Sequence, residues 1–225
     1  PEFAFEHVES NIAAAAQSLG VTYPIAIDNN YGTWDAYNNE YWPAEYLIDQ
    51  NGDVRHTSFG EGDYAKTESD IRALLLAGGA KQLPKPTDIP NTAPTQATTP
   101  ESYLGYQRLD NAVNPISDNS MTGYQLPSQL PLDELAFGGH WDVHGWEATA
   151  GSDAVLQLSY QATDVYLVLG GHGTVRVSRN GLPLATVRVE GYPDLYTLLA
   201  GTSSTEGELT LKMSPGVRAY DFTFG

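Results

Sequence analysis

Residues 39–54 read NEYWPAEYLIDQNGDV, and their reading decides how the first third of the chain folds. After Pro43, the run AEYLID is rich in aromatic and branched side chains and predicts a short strand. Asn51-Gly52 is a hairpin signal, because both residue types tolerate positive φ. The run DVRHTSF then predicts the returning strand. Proline has no N–H to give to a ladder, so Pro43 belongs at a strand start or edge. Two readings of Trp42–Pro43 follow. It is a simple turn-to-strand boundary, or it is a cis bond that turns the backbone of the preceding residue outward as a docking edge for a peptide.

Working outward, a helix is expected from about His7, with Val8, Ile12, Ala15 or Ala16, and Leu19 on one face and Gly20 as its stop. TYPIAID predicts a short buried strand. NNYGTWDAYNN is too rich in Asn and Gly for more than one helical turn, near Trp34–Tyr37. DYAKTESDIRALLLAGG places Ile71, Leu74 and Leu75 on one helical face that must cover a sheet. Three strands in residues 1–79 make a thin core, and a part of the domain looks missing.

From Ala80 to Pro100 the chain carries five prolines, many threonines and few large apolar residues. Such a segment buries too little surface to offset its ordering entropy and predicts an extended spacer. Beyond it the texture is all-β. Leu156, Leu158 and Tyr160 alternate on one side of a strand, as do Val165, Leu167 and Leu169, and Leu209, Leu211 and Met213. About eight strands from Leu135 onward, punctuated by turns such as Asn180-Gly181, predict a two-layer antiparallel sandwich. Residues 101–132 are expected to form an irregular lead-in and a first strand.

Composition excludes several functions. The net charge is −17, from 28 acidic and 11 basic residues, so a polyanionic partner such as nucleic acid would be repelled, and no nucleic-acid partner is expected. The absence of cysteine removes disulfides, thiolate metal sites and a cysteine nucleophile from these residues. No G-x-S-x-G elbow, P-loop or H-E-x-x-H occurs, and LGGHGTV reads as a hairpin. No cofactor is implied. The start at Pro1 suggests residues cut from a longer parent.

YWPAEYLIDQNGDVRHTSFGEGDY resembles the cis-proline loop and following hairpin of thioredoxin-like proteins, in particular their TlpA/peroxiredoxin-like branch. With the Pro-rich linker and TPESYLG, the whole resembles the extracytoplasmic C-terminal part of the DipZ family, relatives of the DsbD electron carriers. The resemblance implies the C-terminal portion of an α/β thioredoxin-like domain at residues 1–79, a linker at 80–100, and a jelly-roll-type sandwich of carbohydrate-binding-module type at 101–225. It implies Pro43 as the cis-proline, Trp42 as the residue whose backbone faces a dithiol, and a Cys-x-x-Cys upstream of Pro1. It further implies thiol–disulfide exchange on protein substrates, an upstream transmembrane redox domain as partner, and a place on the outer side of the membrane. Asp28, Asp35 and Glu45 are candidates for proton management near the dithiol, set against a reading as surface or turn carboxylates.

In the sandwich, His140, Asp142 and His144 share one face of an extended strand. One strand alone builds no tetrahedral cage, so no metal site is expected and a solvated polar face is preferred. Among the many aromatic residues, Trp146 with Glu147 is the candidate contact for a cell-wall glycan. Most other rings, Trp141 and Tyr160 among them, are expected to pack internally.

Overall fold

A computed structural model describes residues 1–91, 93, 94 and 96–225. The chain divides into two compact units, one of residues 1–25 and 95–225, the other of Ala26–Pro94. By contacts, the first 25 residues group with the sandwich.

The first unit opens with a 3-10 turn at Ala4–His7 and helix α1 at Glu9–Ser18. The helix ends as expected, with Gly20 at positive φ. The second unit holds α2 (Gly32–Ala36), strands β1 (Ala44–Ile48) and β2 (Val54–Phe59), and α3 (Tyr64–Ala77). The hairpin is antiparallel, pairing Ala44 with Phe59 and Tyr46 with Thr57. Its connection spans Asp49–Asp53, and among the described residues only Gly52 there takes positive φ. The turn is instead organised by Asp49, whose carboxylate accepts the N–H groups of Asn51 at 2.8 Å and Asp53 at 3.1 Å.

The buried strand expected in TYPIAID does not form. Residues 24–28 carry no regular structure, and Tyr23, Ile25 and Ile27 are exposed. A strand needs a neighbour for its backbone groups, and among the described residues of the second unit the sheet has two strands, β1 and β2. The expected apolar face of α3 is there but thinly covered: Leu47 and Ile48 face Ile71, Leu74 and Leu75 across a groove of about 520 Å³. None of the described residues from Ala26 to Pro94 is buried.

The spacer has neither helix nor strand among its described residues. It is nevertheless tethered. Arg72 on α3 donates to the Pro84 carbonyl at 2.8 Å, and Glu68 accepts the Thr87 N–H at 3.0 Å and its hydroxyl at 2.6 Å. At the other end Thr99 is buried and already belongs to the sandwich, its N–H donating to the Gln161 carbonyl at 2.8 Å.

The sandwich comprises β3 (Ser102–Tyr103), β4 (Thr122–Tyr124), β5 (Leu135–Val143), β6 (Ala148–Ala150), β7 (Val155–Ala162), β8 (Val165–Gly170), β9 (Gly173–Arg179), β10 (Leu182–Val189), β11 (Asp194–Leu199), β12 (Thr205–Met213) and β13 (Arg218–Phe224). One layer runs β10-β9-β12-β7-β5 and the other β5-β6-β13-β8-β11, with β3 beside β13 and β4 beside β5. Strand β5 serves both: Leu135–Gly138 pair with β7, whereas Trp141–Val143 pair with β6. It turns the corner at Gly138-Gly139. Gly139 sits at φ +71°, and a Cβ there would lie 2.0 Å from the Asp153 carbonyl oxygen. Strands that switch sheets need such a bend.

The alternating residues expected to face inward do so. Leu156, Leu158, Tyr160, Val165, Leu167, Leu169, Leu209, Leu211 and Met213 join one core cluster with Phe137, Trp141 and Phe222. Burying a side chain of this size contributes roughly 1.5–3 kcal/mol. No helix among the described residues is long and apolar enough to cross a membrane.

Candidate functional site

The Trp42–Pro43 bond is cis. Its surroundings are set by short-range bonds. Asn39 donates its amide to the Tyr41 carbonyl at 2.9 Å and accepts the Tyr46 hydroxyl at 2.9 Å, which ties the loop to β1. The Pro43 carbonyl accepts the Gly60 N–H at 2.9 Å, closing the strand ends over the loop. The Trp42 ring packs on Trp34 with centroids 4.5 Å apart, and Tyr41 packs on Phe59 at 4.9 Å. Even so, Trp42 is 45% and Phe59 51% exposed. The result is an aromatic edge braced by ring packing and partly exposed to solvent.

The three carboxylates named as proton managers take other roles or none. Asp28 accepts the Thr33 N–H at 3.0 Å and the Trp34 N–H at 2.8 Å, capping α2. Those bonds, Thr33 first, hold its pKa below the ordinary carboxylate value. It therefore stays ionised rather than exchanging protons near neutrality. Glu45 accepts the Thr67 hydroxyl at 3.1 Å, bridging β1 to α3. Asp35 lies within α2.

In the sandwich, Trp146 and Glu147 occupy the turn between β5 and β6 and are half-buried. The His144 N–H donates to the Glu147 carbonyl at 2.8 Å, closing that turn. The neighbouring turn grips it, since the Tyr106 N–H reaches the His144 carbonyl at 2.9 Å. Gly105 permits the close approach: a Cβ there would stand 2.4 Å from the Trp146 backbone. Trp141 is fully buried and its indole N–H donates to the Gly138 carbonyl at 2.9 Å, so it is a core residue.

His140, Asp142 and His144 do not converge. His144 Nε2 lies 3.5 Å from Asp142 Oδ2, while His140 Nδ1 meets the Ser152 hydroxyl at 3.0 Å. Among the described residues no group of three or more His, Cys, Asp or Glu could hold a metal ion.

A polar cluster was not foreseen. Asp221 on β13 is 2% exposed, and its Oδ1 has no hydrogen-bond partner among the described residues. Burial, reinforced by Glu101 and Glu2, pushes its pKa up to about 9. Beside it the Tyr103 hydroxyl donates to Glu2 and also meets Glu101 at 3.1 Å, and the Arg108 guanidinium lies over the Tyr103 ring at 3.3 Å. Burial also raises the pKa values of Glu2 and Tyr103. An Asp inside the apolar run RAYDFTF is the sequence signal that points to this cluster.

Residues 99–225 match the family described as the thioredoxin-like C-terminal domain. The chain is 43% identical over 230 aligned positions to the protein DipZ of Mycobacterium bovis and of Mycobacterium tuberculosis. That alignment takes in 100% of this chain and 33% of those proteins, so the chain spans about a third of the length of the curated relatives it matches. A thiol-disulfide oxidoreductase of Bacillus subtilis, YkuV, is 33% identical over 64 residues, covering 28% of this chain and 43% of that protein. Among solved structures, the CsCBM6-3 domain of Clostridium stercorarium in complex with cellobiose superposes with TM-score 0.29 at 16% identity, covering 51% of this chain and 95% of that one. A family two carbohydrate esterase of Clostridium thermocellum in complex with cellohexaose superposes with TM-score 0.32 at 21% identity, covering 35% of this chain and 26% of that one. Superpositions this partial carry no weight for ligand or fold.

Proposed function

The chain belongs to the thioredoxin-like C-terminal domain family, and from that membership we propose that it is the C-terminal extracytoplasmic part of a membrane-anchored thiol–disulfide oxidoreductase. The observation that carries this reading is the 43% identity to DipZ along the whole chain. In the proposed arrangement, residues 1–79 form the C-terminal portion of an α/β thioredoxin-like domain, residues 80–100 a spacer, and residues 101–225 a jelly-roll-type sandwich that binds a glycan or a partner protein. The lack of any buried residue among those described from Ala26 to Pro94 supports a domain whose core is completed by further chain.

The chemistry belongs to a Cys-x-x-Cys upstream of Pro1. A thiolate attacks one sulfur of a substrate disulfide and expels the other as a thiolate, leaving a mixed disulfide; the second thiol then displaces the substrate and closes the protein disulfide. Trp42 and Pro43 present the edge on which the substrate chain lies beside those sulfurs. The membrane-embedded redox domain of the same parent supplies or removes the electrons. In the sandwich, Trp146 and Glu147 are the proposed glycan contacts, one as an apolar platform and the other as a hydroxyl acceptor.

The test is exchange between the full-length protein and a disulfide-bonded peptide. Trp42→Ala is expected to slow mixed-disulfide formation about tenfold, with only a small drop in melting from the lost contact with Trp34. An unaltered rate removes Trp42 from docking, and a full-length protein inert toward every disulfide ends the redox reading. The absence of cysteine from these 225 residues favours a second reading, a non-catalytic envelope scaffold. Exchange-inactive full-length protein that still binds glycan is its expected signature.

A further inference from the structure

Arg176 on β9 and Lys212 on β12 lie directly opposite each other in the antiparallel ladder. Residues opposite in register point to the same face. That face is the outer one, because Val175, Val177, Leu211 and Met213 on either side of them are buried. Like charges in this position are destabilising. The chain has 28 acidic residues and only 11 basic ones, yet it sets two of the eleven side by side, and neither makes an ion pair among the described residues. A local rule broken with no compensating contact points to a binding role.

The two cations line a groove of about 570 Å³ together with Asp153, Ser152, Thr174 and Ser214, a size that falls in the usual range for small-molecule sites. The rim is fixed in advance. The Ser214 N–H donates to the Thr174 carbonyl at 2.9 Å and the two hydroxyls meet at 2.9 Å. The Met213 N–H reaches the Ala154 carbonyl at 3.0 Å. Among the described residues no aromatic ring lines the groove, so a neutral pyranose finds no face to stack on.

We propose that this groove binds a saccharide carrying an oxyanion, with Arg176 and Lys212 on the carboxylate or phosphate and Asp153 accepting sugar hydroxyls. Arg suits the planar fork of such an anion, and Lys adds a point charge. The inference rests on the glycan reading of the sandwich and places a site apart from Trp146 and Glu147.

The test is calorimetric titration of the chain with a galacturonic acid oligomer, glucose 6-phosphate, inorganic phosphate and cellobiose, at low and high NaCl. One of the two anionic sugars is expected to bind, and which one identifies the anion. Binding weakens with salt, and Arg176→Gln or Lys212→Gln weakens it about tenfold or more. Both side chains are exposed and their repulsion is relieved by either substitution, so thermal melting should stay or rise slightly while binding weakens. The proposal is overturned if neither anionic sugar binds, if binding ignores both substitutions, or if inorganic phosphate binds as tightly as the sugars. Cellobiose binding that is lost in Trp146→Ala, with neither anionic sugar bound, overturns the groove while leaving the glycan reading intact.

Discussion

The ring of Phe5 stands edge-on to that of Tyr220, their centroids 5.0 Å apart and their planes at 77°. Phe3 stacks on Phe5 at 5.4 Å and touches Tyr220 as well. The side of β13 that the sandwich core does not use is thus sealed by the first residues of the chain. The strand makes this possible with an irregularity: its register against β8 shifts between Ala219 and Asp221, and Tyr220 stays buried outside the core cluster.

Phe3, at 7% exposure, is therefore part of the sandwich's stability. Phe3→Ala is expected to destabilise the sandwich by about 3 kcal/mol or more, read as a lower midpoint in urea followed by near-ultraviolet circular dichroism. An unchanged midpoint would show that the aromatic seal contributes nothing.

Asp221→Asn tests the buried carboxyl. A folded-state pKa of about 9, above the ordinary 3.8, means that the native state holds a proton the unfolded chain gives up. Stability from this group is whole below about pH 4 and is lost as pH rises toward 9. The amide keeps the shape and does not ionise, so the variant should gain roughly 1–3 kcal/mol at pH 8 and nothing at pH 4. Glu2, Glu101 and Arg108 face the same site and remain in the variant. Equal gains at both pH values would rule out ionisation of Asp221 as the cause.

Gly139→Ala asks for a left-handed alanine whose Cβ has no room beside Asp153. A loss of about 2–4 kcal/mol is expected. Gly181, also at positive φ but with nothing within 4 Å, is the control, and Gly181→Ala should cost about 1 kcal/mol. Equal losses at the two positions would mean that crowding at the corner of β5 is unimportant.

Hydrogen exchange should divide the chain. With no buried residue among those described from Ala26 to Pro94, the amides of β1, β2 and α3 open at little cost, whereas those of β7 and β12 exchange only on global unfolding. In the longer parent proposed above, the first group is expected to slow. If the hairpin amides are as protected as β7 in the isolated chain, the incomplete-core reading fails.

Legibility in the sequence tracked how local the deciding physics is. Leu156–Leu158–Tyr160 and Leu209–Leu211–Met213 declared their inward faces because period-two alternation depends only on the strand that carries it. The β1–β2 hairpin was legible from Asn51-Gly52, although the turn is organised by Asp49. TYPIAID misled because its apolar pattern predicts burial, and burial needs a neighbour that the local sequence does not contain. Trp42 was visible through its neighbour Pro43 and a familiar run of residues. Of the Glu2–Tyr103–Asp221 cluster only Asp221, a carboxylate within RAYDFTF, leaves a mark in the sequence, since contacts across a hundred residues have no period. Arg176 and Lys212 meet only through strand order, which alternation does not disclose.

Because β5 is stitched into both layers, neither can peel away along that edge without the other. A nick between Gly138 and Gly139 would loosen the two together. Heat or pulling force should accordingly find a single all-or-none failure there rather than a succession of partial ones.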